Sequence, residues 1–226
     1  MSRSAFDGDE VCVEGFPWCP SPTRVGVASL TAKVLCRYHN SGLSDTDIAA
    51  RDVRRAFGQS AQVSLAAHSA IPTVGGMHHV MLQGSEWERW CLKTLINVSF
   101  NGRYAIGKDA SKPGEVGSSL VECAFGRRAF KHPIGLYYLG EPGDEFVSIS
   151  WLRIAPFIED SRIYGGLFVI RGFSFALLLE DRGSVDFLSV LRGGSPLTNP
   201  SRLCYHPAHI GMAIEKVKWC FDFHWR

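Results

Sequence analysis

The sequence is short of most features that give a function away. Its 226 residues carry 24 Lys and Arg against 22 Asp and Glu, a formal net charge of +2. No field of one sign surrounds the molecule, so nucleic-acid binding would need a local patch. The opening MSRSAFDGDEV has no apolar core of signal-peptide length, which predicts an intracellular, cytoplasmic chain. There is no internal repeat, heptad pattern or low-complexity tract. One run, IYGGLFVIRGFSFALLL over 163–179, approaches a membrane span, but it is slightly short and Arg171 stands at its middle. The Arg-Gly pair reads instead as the turn of a buried hairpin, and no membrane partner is expected.

What is present is enough apolar material for a core. Hydrophobic residues make up 46% and charged residues 20%, which excludes global disorder. The seven cysteines are an odd number at irregular spacing. In a reducing compartment that favours free thiols, a few of them open to metal binding, over a disulfide framework.

Residues 1–33 read as irregular, with GFPWCPSPTRVG a turn-rich loop and VASLTAKVL a short strand into Cys36. Ser44 followed by Asp47 resembles a helix start, and Ala49, Val53, Ala56 and Phe57 then share one face, with Gly58 as the stop. AQVSLAAHS and HHVMLQ read as strands joined by IPTVGG. SEWERWCLKTLINVSF is the clearest helix, with Trp87, Trp90, Cys91, Leu95 and Val98 in one stripe. Residues 101–118 are glycine-rich and read as a loop. Beyond about residue 134 the patterns are mainly β: EFVSISWLRI alternates, GLFVI and FSFALLLED form the hairpin, and KVKWCFDFHW alternates cleanly. The whole predicts an α+β fold with a mainly antiparallel sheet, organised as a small cysteine- and histidine-bearing module over 1–58 and a body over 59–226, or one continuous domain.

Cys12, Cys19, Cys36 and His39 are a candidate tetrahedral zinc set, since thiolate and imidazole suit that ion. Cys36 and His39 have knuckle spacing before a helix start. Cys12 and Cys19 are further apart than the usual two to four residues, so the alternative of buried thiols stays open. The stretch LCRYHNSGLSDTDIAA resembles the second half of the zinc knuckle, a treble-clef element, in proteins related to HNH endonucleases. The resemblance covers roughly residues 10–57 and is specific over 35–50. It implies structural ligation by Cys36 and His39, completed by Cys12 or Cys19, and matches Asn40 to the asparagine that orients the family's catalytic turn. The family's general-base histidine has no counterpart between Cys19 and Cys36, a stretch with neither histidine nor acid. Phosphodiester hydrolysis needs an activated water and a cation, so the resemblance implies a non-catalytic module binding nucleic acid or a protein. The alternative is a metal-dependent nuclease using Asn40, Asp45 and Asp47 with a non-standard base.

Other patterns carry less. GRYAIGKD nearly matches a phosphate-binding loop, but Asp109 replaces the hydroxyl residue and no strand precedes it. GFSFA lacks the last glycine of a nucleophile elbow. Cys204, His206 and His209 could form a metal corner with Asp222 or His224, whereas His78 and His79 would point to opposite faces of a strand. Arg51, Arg54 and Arg55 on one helix and Arg127, Arg128 and Lys131 further on are candidate phosphate contacts if the two patches adjoin. The zinc set predicts an equimolar metal content that falls in Cys36→Ala. A fully folded, metal-free protein would remove that site.

Overall fold

The computed structural model describes residues 10–14, 19–26, 41–69, 76–99, 103–140, 152–181, 203–214 and 217–226. Within them the chain is α+β, with three helices and two sheets. The helices are α1 (Ser44–Ser69), α2 (Gly84–Ser99) and α3 (Ser118–Ala124).

The larger sheet begins with β1 (Glu10–Val13) and β2 (Thr23–Gly26), and the short β4 (Ala105–Ile106) pairs with it off the main strand order. It continues through β5 (Gly135–Leu139), β6 (Leu152–Glu159), β7 (Arg162–Ile170; its first residues pair with β4), β8 (Phe173–Leu178) and β9 (Leu203–Tyr205). Its order is β2-β1-β6-β7-β8-β5-β9, antiparallel except where β1 meets β6 and β4 meets β7. The smaller sheet holds β3 (Gly76–Gln83), β10 (His209–Ile214) and β11 (Val217–His224) in the order β10-β11-β3.

The local chemistry explains the hairpins. Asp160 and Ser161 join β6 to β7, and Arg171 and Gly172 join β7 to β8, all four at positive φ. Two-residue turns with both centres left-handed match the twist of the flanking strands. The apolar run at 163–179 is therefore a hairpin, and among the described residues no helix is long and apolar enough to cross a membrane. Tyr164 is the extra residue of a bulge between β6 and β7, which lets both Ile163 and Phe168 reach the main core.

The two long helices, α1 and α2, pack between the sheets. Trp87 and Trp90 stack on each other at 5.0 Å and are almost wholly buried, as the sequence pattern predicts. A Cβ on Gly166 of β7 would come within 2.9 Å of Leu95, so a glycine there lets α2 approach the sheet closely. In the same core, Phe57 of α1 stacks on Phe173 at 3.9 Å and meets Phe221 edge-on at 4.8 Å. Val11 and Val13 join this same core, so the described part of 1–58 shares its packing with the body.

Two expectations change here. The stretch around residues 10–26, read as irregular, contains an antiparallel strand pair. Gly58 does not stop α1, and AQVSLAAHS is helical rather than extended. An interior glycine costs about 1 kcal/mol. The buried Val53, Ala56 and Phe57 before it, and buried Ala61 with an alanine-rich tail after it, outweigh that. Of EFVSISWLRI, the residues before 152 lie outside the described ones, and the rest opens β6.

Lys93 of α2, only 4% exposed, holds both carboxylate oxygens of Asp47 of α1 at 3.0 Å. Removing one partner of such a pair leaves the other charge buried without compensation. Asp47→Ala is expected to lower unfolding stability by about 3 kcal/mol in urea, with most of the loss recovered in Asp47→Ala/Lys93→Met. Additive losses in the double variant would show that the pair is not coupled.

Candidate metal centre

The smaller sheet has one face on the core and one toward solvent. β11 alternates, with Val217, Trp219, Phe221 and Phe223 buried. Lys218, Cys220, Asp222 and His224 take the opposite face. β3 pairs with β11 in parallel, matching Cys220 with His79 and Asp222 with Met81. β10 pairs antiparallel, matching His209 with Asp222 and Gly211 with Cys220. Register partners share a face, so these two pairings gather side chains more than 100 residues apart in the chain.

Asp222 is the centre of the group. Its Oδ2 lies 2.9 Å from His79 Nδ1, and its Oδ1 lies 2.6 Å from His209 Nδ1. The Cys220 thiol donates to Oδ1 at 3.2 Å. These hydrogen bonds, from His79 first, then His209 and Cys220, hold the Asp222 carboxyl well below the usual carboxylate range. Burial and the neighbouring carboxylate push the Cys220 thiol up. The two imidazoles are open to solvent, 56% and 69% exposed, while the Asp222 side chain between them is 14% exposed.

One ligand atom each from His79, Cys220 and Asp222 lies within 4.8 Å of the other two, which among the described residues is the one such grouping of three. Donor atoms around a tetrahedral ion with bonds of roughly 2.0–2.3 Å stand roughly 3.3–3.8 Å apart. Small side-chain shifts would seat an ion among these three, with His209 beside Asp222 as a fourth donor. Imidazole, thiolate and carboxylate together suit a transition metal rather than magnesium or calcium. His78 turns the other way and stacks on Trp219 at 4.7 Å, as expected of adjacent strand residues.

Of the residues singled out near the amino end, Cys12, Cys19, Asp45 and Asp47 are among the described ones. Cys36, His39 and Asn40 lie outside the described residues. Cys12 alternates to the face opposite Val11 and Val13, and burial pushes its thiol up. Cys19 packs with those valines, and its thiol faces the carbonyls of Val13 at 3.2 Å and Ser21 at 3.3 Å. Asp45 is exposed in the first turn of α1, whereas Asp47 is committed to Lys93.

The basic candidates differ in exposure. Arg51 pairs with Asp52, Arg54 is half-buried and Arg55 is exposed. Arg127, Arg128 and Lys131 are exposed beyond α3, with the Arg127 guanidinium over the Phe125 ring. In the loop after α2 the Arg162 guanidinium binds the carbonyls of Gly107, Lys108 and Ala110. Asp109 accepts from Ser118 and Ser119 at the start of α3. Phosphate cradles turn N–H groups inward, and this loop turns carbonyls onto a cation.

Cys204, His206 and His209 go to three different places. Cys204 is exposed on β9, His209 joins Asp222, and His206 reaches across to α2. His206 Nε2 is 2.7 Å from Glu88 Oε1, and the same oxygen accepts the Leu136 N–H at 2.7 Å. The His206 ring is sandwiched between Tyr205 at 3.9 Å and Trp225 at 4.0 Å. Burial, then the Glu88 charge, pushes the Tyr205 phenol up to about 12. Glu88 is thus a buried acceptor pinning β5 and the β9–β10 link to α2. Glu88→Ala strands two donors and is expected to cost about 3 kcal/mol, whereas His206→Phe keeps the ring stack and costs about 1 kcal/mol. Equal losses in urea unfolding would contradict that division.

No family model matches the chain, and neither the curated proteins nor the solved structures provide a match.

Proposed function

We propose that this chain is a transition-metal-binding α+β protein whose ion is held on the open face of the smaller sheet. The ligands are His79, Cys220 and Asp222, with His209 as the fourth. The observation that carries the reading is the convergence of three unlike donor atoms within 4.8 Å, contributed by two strands far apart in the chain. The ligands differ from the Cys12, Cys19, Cys36 and His39 set expected from the sequence, of which Cys36 and His39 lie outside the described residues.

Binding replaces the hydrogen bonds of the group with coordinate bonds: the Cys220 proton leaves to solvent, and an imidazole that ligates through Nδ1 gives up that proton and carries one on Nε2 instead. The backbone ladder of the sheet fixes the strand positions and so the spacing of the ligands. Zn(II) is the reference ion, because it accepts this mixed donor set without a demand for one geometry.

Titration with Co(II) tests the reading. One equivalent is expected to bind with visible d–d bands and a near-ultraviolet thiolate-to-cobalt band, and Zn(II) is expected to displace it. Affinity should fall by about 100-fold in His79→Ala or Asp222→Ala, and the thiolate band should vanish in Cys220→Ser. A spectrum lost in Cys36→Ser and unchanged in all three sheet variants would reject this assignment.

A further inference from the structure

The face that carries the metal cluster also carries two methionines with no core to bury them. Met77 and Met81 are 62% and 60% exposed. They alternate with His79 on β3, so the three share one face in the order thioether, imidazole, thioether. The register sets Met81 opposite Asp222 and Met77 opposite Lys218, on either side of the His79–Cys220 pair. The sequence has only four methionines, and two of them stand on this face.

Same-face residues on a strand are about 7 Å apart. The methionine side chain has three free torsions, so both sulfurs can swing toward an ion held at His79 and Cys220. On the far side of Cys220, β10 contributes Gly211, where a Cβ would meet no atom within 4 Å. The space beside the thiol is therefore open. Thioether, thiolate and imidazole are the soft donors that favour Cu(I) over harder ions.

We infer that the ion this face takes in preference is Cu(I), bound by Cys220 and His79 with Met81 and Met77 as thioether donors. This rests on the metal-binding reading above and specifies its cargo. No electron moves: Cu(I) enters as Cu(I), the Cys220 S–H bond breaks, its proton passes to solvent, and a sulfur–copper bond forms. The exposed Lys218 on the same face offsets the negative charge that a thiolate, a carboxylate and a monovalent ion leave behind.

The test uses the full chain under anaerobic, reducing conditions, with Cu(I) delivered from a competing chelator. Met77→Leu/Met81→Leu keeps volume at two exposed positions, so the unfolding midpoint should stay at the wild-type value. Cu(I) affinity is expected to fall at least about tenfold, with Co(II) affinity unchanged within about twofold. In a second measurement, Ag(I) as a redox-inert analogue should shift the methyl NMR signals of Met77 and Met81. The signal of Met212, which packs against the core, should stay still. Unchanged Cu(I) affinity in the double variant, or unmoved Met77 and Met81 signals, overturns the inference while leaving Co(II) binding in place. Absence of binding by both ions in the wild-type chain, or indifference of both to His79→Ala, overturns the metal-binding reading and this one with it.

Discussion

The parallel pairing of β3 with β11 is the constraint on which the rest of the molecule depends. Eight register pairs join residues 76–83 to residues 217–224. β3 runs directly into α2 at Gly84, so the strand sets where the two tryptophans of that helix enter the core. The carboxyl end closes over this junction. Trp225 lies against Gly84, whose Cβ would come within 2.7 Å of the indole, and Arg226 N–H donates to Ser85 Oγ at 2.8 Å. Parallel strands need a long crossover, and here nearly the whole body of the protein is that crossover.

The same pairing sorts side chains into two environments. Toward the helices it aligns Trp219, Phe221 and Phe223 with Leu82 in the main core. Toward solvent it aligns Cys220 with His79 and brings Asp222 between two imidazoles. A one-residue slip in β3 would move His79 to the core face and His78 outward, losing both the cluster and the His78–Trp219 stack. The core therefore specifies the register, and the register assembles the polar group.

Local patterns in the sequence reveal much of the framework. The stripe of Trp87, Trp90, Cys91 and Leu95, the Arg171-Gly172 turn and the alternation of β11 are legible because each is decided within a few residues by periodicity or backbone chirality. Gly58 misleads because a propensity penalty of about 1 kcal/mol is small beside the burial of Phe57 and its neighbours. The side-chain group around Asp222 is illegible for another reason. Cys220 and Asp222 are visibly outward-facing and His209 is visibly a donor, but nothing local states that residue 79 lies beside residue 220. Conversely, Cys12 and Cys19 look like a pair by proximity in sequence, but Cys12 alternates to the face of β1 opposite Val11 and Val13, whereas Cys19, beyond that strand, packs with those valines.

The central claim is that an ion is held between β3 and β11. Anomalous diffraction from crystals grown with zinc tests it most directly. The account predicts one strong anomalous peak within bonding distance of His79, Cys220 and Asp222. A peak at Cys36 and His39 with none over the smaller sheet would contradict it.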